Sequence, residues 1–437
     1  MQPITNRRIL RIAAPIMLAN IAVPLLGAVD TGIIGQMGEA APIGAVGLGA
    51  VILTSIYWIF GFLRMGTTGL VAQATGAGDL AESGAILTRG VMIGLGAGLV
   101  MVLGQVALME AAFLIAPASD TVEALARDYL SIRIWGAPAT IAIYALNGWL
   151  IATERTRSVL ALQLWMSGLN VTFSLWFVLG LGWGVAGVAA ATLIAEVTAL
   201  GLGLWLCRAA FAGNQWRDWA RVFDRARLKR MWSVNSDIML RSVALQGAMT
   251  GFLFTSAGFG DVELAANQIL WQFLMIISHG LDGFAFAAEA LVGRAVGARA
   301  VADMRRAGLR AGLWGFVMAG LIAVIYLLGG PSVIAMMARD VDVQAAAIAY
   351  LPFVAALALT SCAAYMLDGI FIGATGTREM RNTVVLAVAI YALVIWVFVP
   401  DYGNPALWSA LMLLNLLRAV FLGALYPRLE RRVAEGV

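Results

Sequence analysis

The chain is 437 residues long, 61% hydrophobic and only 12% charged, with a formal net charge of +4 and a mean hydropathy of +0.87. Soluble domains carry roughly 25% charged residues, so this composition excludes a soluble protein and implies an all-α polytopic membrane protein. The basic residues fall between apolar runs, where they orient helices, and no patch among them points to nucleic acid.

In chain order, segments apolar and long enough to cross a hydrocarbon core of about 30 Å recur near residues 9–34, 43–75, 86–115, 121–152, 157–180 and 185–210. Six more follow near 230–257, 262–296, 305–329, 342–374, 382–399 and 405–427, predicting twelve transmembrane helices. Arg7, Arg8 and Arg11 precede the first, which is too long for a cleaved signal segment. Arg-rich connections at 153–157, 208–230, 294–310 and 378–381, with the tail after Pro427, alternate as the positive-inside rule demands, which places both termini in the cytoplasm. The longest connection carries Arg217, Arg221, Arg225, Arg227, Lys229 and Arg230 with Trp216 and Trp219, and reads as a solvated amphipathic linker. The expected organisation is an N-lobe at 1–210, a linker at 211–230 and a C-lobe at 231–437.

An offset of 221 residues lays Leu70–Ala77 on Leu291–Ala298, Tyr144–Gly148 on Tyr365–Gly369, and Thr156-Arg157 on Thr377-Arg378. One offset serving separate stretches argues for an internal repeat. Six helices per half would insert the halves in the same orientation, related by a pseudo-twofold axis along the membrane normal, with a substrate path between them.

Asp30 lies inside the first apolar segment, where an ionised carboxylate costs roughly 2.5 to 3.5 kcal/mol on insertion scales, so its default reading is a proton or ion site. Pro24, about two turns earlier, removes a backbone hydrogen bond and is a hinge candidate. Asn170 and Ser174 share one helix face, as do Thr192 and Glu196, so two helices can present polar faces to one cavity. Asn147 and Asp368 occupy equivalent places in the repeat. In the second half, Asp282 and Glu289 share a face. Arg241 is in reach of Asp237 four residues earlier, or of Glu289, and these groups form either a buried ion-pair network or a second proton site. Arg64, also within an apolar run, snorkels or pairs.

Cys207 and Cys362 have no spacing that suggests a disulfide or metal site and read as helix-packing residues, while His279, the sole histidine, rules out paired-histidine ligation. The glycine pattern at Gly182–Gly187 fits a dinucleotide motif but follows no strand. No cofactor is expected.

These residues carry a resemblance. Val29-Asp30-Thr31, Gly180–Gly187, Asp237–Ser242, Leu281–Phe284 and Asp368–Gly373, in this order and spacing, resemble the multidrug and toxic compound extrusion (MATE) family, in its DNA-damage-inducible protein F (DinF) branch. The resemblance implies a twelve-helix, two-lobed fold in a bacterial cytoplasmic membrane. It further implies export of lipophilic, often cationic compounds in exchange for protons or sodium, and bending of the first helix near Pro24. Carried over by position, the family's N-lobe cation site falls on Asp30, Asn147, Asn170 and Thr192. Ser174 stands where many relatives carry a second carboxylate, which favours the proton over sodium as coupling ion. A monomer in contact with membrane lipid is expected. The nearest alternative is a flippase for a lipid-linked precursor, which calls for a more basic cavity. A membrane enzyme lacks a nucleophile–base pair here, and a channel is disfavoured by the repeat.

Overall fold

Helices account for nearly all of the computed structural model, which describes residues 3–36, 40–115, 118–212 and 215–435, apart from the side chains of Pro24, Leu25, Ala28, Ala40, Ile115 and Gln215. Pro24, the expected hinge, thus lies outside the described residues. In order the helices are α1 (Asn6–Gly35), α2 (Ala40–Ile59), α3 (Phe62–Gly76), α4 (Leu80–Leu103), α5 (Gln105–Ile115), α6 (Asp120–Arg133), α7 (Ala137–Ala152), α8 (Thr156–Ser174) and α9 (Gly184–Leu206). They continue as α10 (Trp219–Val222), α11 (Arg225–Ala257), α12 (Asp261–Gly297), α13 (Val301–Met337), α14 (Val341–Gly373) and α15 (Thr377–Glu435). Ten helical stretches among the described residues are long and apolar enough to cross a membrane. Their surfaces expose Leu103, Phe254, Leu328 and Trp396, each by 76% or more. Such a coat is an aggregation hazard in water and ordinary against lipid. The chain is an all-α polytopic membrane protein.

Two of the expected segments, 382–399 and 405–427, fall within α15, where Gly403 breaks the helical path at φ +59°. The segment expected at 9–34 is α1, 30 residues long.

Contacts divide the chain into two units, Leu18–Met231 and Met1–Met17 with Trp232–Val437. The division therefore falls inside α1, whereas the sequence reading assigned that helix whole to the first half.

In the first unit, α4 presents Gly90, Gly94 and Gly98 at successive turns to Ala145, Ala142 and Pro138 of α7. A side chain at Gly94 would meet the Ala142 backbone at 2.6 Å, so the helices touch backbone to backbone, as small residues permit in membranes. Leu53, Leu63, Leu130, Ile141 and Val188 fill the core beside them. Cys207, like Cys362 in the second unit, is buried and free.

The second part of the linker is tied to α4. Buried Arg89 of α4 donates Nε to the Val222 carbonyl at 2.7 Å and a terminal nitrogen to that of Arg221 at 2.6 Å, satisfying carbonyls at the end of α10. Arg221 reaches Asp79 at 3.0 Å, and Arg227 pairs with Glu82. Two of the linker cations, Arg221 and Arg227, are thus docked at the start of α4, on acidic partners more than a hundred residues earlier in the chain.

In the second unit, α12 and α14 approach as closely as α4 and α7. A side chain at Gly369 would meet the Ala285 carbonyl oxygen at 2.5 Å, and the same 2.5 Å separates a side chain at Gly148 from the Arg64 carbonyl oxygen, both residues 221 positions earlier. Helix ends follow that offset: α3 and α12 end at Gly76 and Gly297, α4 and α13 begin at Leu80 and Val301, and α8 and α15 begin at Thr156 and Thr377. So do three pairs of left-handed residues, Gly78 with Arg299, Glu154 with Thr375, and Gly182 with Gly403.

Candidate functional site

Asp30 projects from the second half of α1, and Ser174 at the end of α8 donates its hydroxyl to Asp30 Oδ1 at 3.3 Å. One turn before Ser174, Asn170 donates Nδ2 to Thr192 Oγ1 of α9 at 2.7 Å, and Thr192 in turn bonds the Val188 carbonyl of its own helix at 2.9 Å. Asn170 and Ser174 are both fully buried. Three helices therefore converge, because i and i+4 positions on α8 put both polar groups on the face that meets α1 and α9. Asn170 Oδ1 is a buried acceptor with no hydrogen-bond partner. Just after Ser174 the backbone widens into a π-helical turn at Leu175–Gly180, an irregularity frequent at functional sites.

Asn147 stands on α7, half-buried, and its Oδ1 is also without a partner. No hydrogen bond joins it to Asp30, Asn170 or Thr192, so of the four carried-over positions three are tied into the cluster directly or through Ser174.

The sequence reading missed Arg133. It ends α6 just before a 3-10 turn at Ile134–Gly136, and it donates to Glu196 Oε2 at 2.7 Å with both side chains almost fully buried. Its charge acts on Asp30, as does the amide of Asn170. Arg133 also lies over the Tyr129 ring at 6.0 Å. Glu196 is one turn beyond Thr192 on α9 and meets Arg133 there. A signal was present: an arginine inside a segment otherwise apolar enough to span a membrane needs a partner.

The second unit holds separate polar clusters. Asp368 receives the guanidinium groups of Arg241 and Arg418, and Arg418 also donates to Asn415 at 2.8 Å. Asp237 bonds Arg381 at 2.5 Å and Thr377 at 3.2 Å. Asp237 thus bonds Arg381 in place of the Arg241 that helical spacing offered, and Arg241 bonds Asp368. Neighbours four apart on one helix face the same way, but α14 and α15 bring in Asp368, Arg418 and Arg381, which compete successfully for these groups. Asp282 acts on Tyr365, whose hydroxyl contacts Ser278 at 2.6 Å, and Glu289 is buried on α12. Nearer the other end of the unit, Asn267 is bonded by Asn404 and Trp408, and Asn404 also reaches Glu263 at 2.6 Å. Among the described residues no group of three or more His, Cys, Asp or Glu could hold a metal ion.

Comparison with known proteins adds the following. Residues 15–176 and 238–401 match the MatE family model, one block in each half. DNA damage-inducible protein F of Escherichia coli strain K12 is 36% identical over 432 residues, covering 97% of this chain and 92% of the relative. A probable multidrug resistance protein NorM from Rhodopseudomonas palustris is 26% identical, covering 96% and 91%. Among solved structures, a MOP superfamily transporter from Pyrococcus furiosus shares the fold with a TM-score of 0.86 at 20% identity, covering 98% of this chain and 96% of that one. A MATE structure in the bent conformation gives 0.86 at 21%, covering 98% and 95%.

Proposed function

The chain belongs to the MatE, or multidrug and toxic compound extrusion, family of membrane transporters, and from that premise we propose that it is a secondary active efflux antiporter. It exports lipophilic, cationic compounds by alternating access, in exchange for protons, and performs no catalysis. The observation that carries the reading is the Asp30–Ser174 contact beside Asn170 and Thr192: a carboxyl in a helix bundle, bonded to a neutral hydroxyl and with an unfilled acceptor beside that hydroxyl in Asn170. A carboxyl that alternates between ionised and protonated forms needs donors in one state and an acceptor in the other. Sodium, stripped of water, needs several oxygens and preferably a second carboxylate, and Ser174 occupies the neighbouring position instead.

In this reading twelve helices form two lobes related by a pseudo-twofold axis along the membrane normal, with both termini cytoplasmic. The ten spans become twelve when α1 is counted and α15 is divided at Gly403. The repeated helix ends support the two-lobed arrangement. Exchange of one proton for one monovalent cation moves no net charge, so it draws on the pH gradient, about 1.4 kcal/mol per unit, and not on the membrane potential.

Asp30→Asn tests the assignment. In inverted vesicles this variant should insert normally and lose pH-driven substrate uptake at least tenfold. Full pH-driven uptake by a folded Asp30→Asn protein would overturn it.

A further inference from the structure

The second unit carries a furrow of about 760 Å³ between α12 and α13 that exchange at Asp30 does not use. One residue opens it. Ile325, Gly329, Val333 and Met337 recur at every fourth position and form a stripe along α13, and the glycine leaves a gap in that stripe. A side chain at Gly329 would meet nothing within 4 Å, whereas one at Gly330 would strike Leu351 of α14 at 2.6 Å. The helix is thus packed by its backbone on α14 while Gly329 borders open space, and Pro331 just beyond removes a rung of the helical ladder. Phe273 and Tyr326, both buried, close the inner side, with ring centroids 4.7 Å apart and the tyrosine hydroxyl donating to the Phe273 carbonyl at 2.7 Å. Ile276, Ile325 and Val333 are exposed, so the furrow is open to the outside of the unit. Among the described residues that line it none is charged, and the polar side chains are Gln272 and the committed Tyr326.

We propose that this furrow binds one acyl chain of an anionic membrane phospholipid, with the lipid phosphate at Arg339. The inference needs the chain to span a membrane and does not rest on Asp30 being the coupling carboxyl. Length favours a lipid tail. The stripe from Ile325 to Met337 covers about 18 Å of helix rise, against about 15 Å for one leaflet of a hydrocarbon core about 30 Å thick. Met337 is the last residue of α13, so the furrow runs from the helix end toward the middle of the span. The lining chemistry agrees. Uncharged walls give a lipophilic cation no counter-ion and give water too few hydrogen-bond partners to fill the space. A hydrocarbon chain gives up no hydrogen bond there and restores the dispersion contacts that a void forfeits. Arg339, exposed and two residues beyond Met337, sets a positive charge at the mouth. The neighbouring Asp340 is turned to α14, where its Oδ1 accepts from the Asp342 and Val343 amides at 2.8 and 3.2 Å. An arginine at the end of an apolar furrow suits a phosphate whose chain lies inside it.

The test offers the full-length protein in detergent either palmitoyl-oleoyl phosphatidylglycerol or the diacylglycerol with the same chains, and reads bound lipid by native mass spectrometry. Wild type should hold phosphatidylglycerol at least threefold more tightly than the diacylglycerol. Gly329→Leu, which puts a side chain into the open space, should weaken phosphatidylglycerol binding at least fivefold. Gly320→Leu, at another α13 glycine with nothing within 4 Å of a Cβ but outside the furrow, should leave it unchanged. Arg339→Gln should erase the preference between the two lipids and keep the binding of the diacylglycerol. A measurement on wild type alone stands beside these if Gly329→Leu does not fold: phosphatidylglycerol with a diazirine at the chain end should label peptides holding residues 272–276 and 325–329. Labelling confined to other helices overturns the proposal. So do wild-type binding by Gly329→Leu, equal losses in Gly329→Leu and Gly320→Leu, or equal affinity of wild type for the two lipids. Displacement of the label by ethidium also overturns it, giving the furrow to the transported compound. Asp30→Asn should bind lipid as wild type does, so its transport and its lipid occupancy report on the two readings separately.

Discussion

The two halves of the chain share several helix ends and turns and differ in their buried chemistry. Helices end at matched positions, and left-handed turn residues recur 221 residues apart. The polar residues do not. Asp30, Arg133, Asn170, Ser174, Thr192 and Glu196 correspond to Gly251, Val354, Tyr391, Ile395, Leu413 and Leu417, while Arg241 and Arg418 correspond to Asn20 and Val197. Besides Arg241 with Asn20, Asn147 and Asp368 form a pair that is polar in both halves. Turns and close helix contacts are local demands that each half must meet to fold, whereas a buried charge has to be satisfied only where it occurs.

The sharpest way to break this comparison is at that shared polar position. Asp368→Leu leaves Arg241 and Arg418 buried without their carboxylate and should cost about 3–5 kcal/mol. Asn147→Leu, its counterpart, removes a group whose carbonyl already lacks a partner and should change stability by less than about 1 kcal/mol, both read from thermal melts in detergent. Next, Gly94→Ala forces a methyl onto the α7 backbone and should cost about 1–3 kcal/mol, while Gly315→Ala, 221 residues on, meets the flexible Met366 sulfur at 3.0 Å and should cost under about 1 kcal/mol. A smaller effect concerns helix starts. Asp79 caps α4 by accepting from the Glu82 amide at 2.9 Å, whereas Ala300 begins α13 with nearly the same backbone angles and no cap. Asp79→Ala should lose about 1 kcal/mol, and Ala300→Asp should gain up to that amount. Smallest in stability is Thr192→Val, about 0.6 kcal/mol for one interhelical hydrogen bond. Its pH profile of transport should nonetheless move, because Asn170 would be released beside Asp30.

Much of this was legible in the sequence. Apolar runs marked the spans because lipid demands their length, and one offset disclosed the repeat because close helix contacts such as those at Gly148 and Gly369 admit no larger residue. Asn170 could be paired with Ser174, and Thr192 with Glu196, because helical spacing puts each pair on one face, whereas their grouping with Asp30 came from the family resemblance. What stayed hidden depended on partners remote in sequence. Arg133 and Glu196 are 63 residues apart, Asp237 chose Arg381 over its helical neighbour, and the linker arginines settled on Asp79 and Glu82. Periodicity tells which residues share a face and is silent on which helix that face will meet.

The matched left-handed turns differ in the residues that form them. Of the two helix-ending pairs, Gly78 with Arg299 and Glu154 with Thr375, just one member is a glycine, and Thr375 is β-branched, the residue type least at ease at positive φ. The corner conformation therefore recurs without the residue type that would adopt it most cheaply, so the strain of holding it must be met by the helices on either side. At these bends the two halves agree in the path of the chain more closely than in the side chains along it.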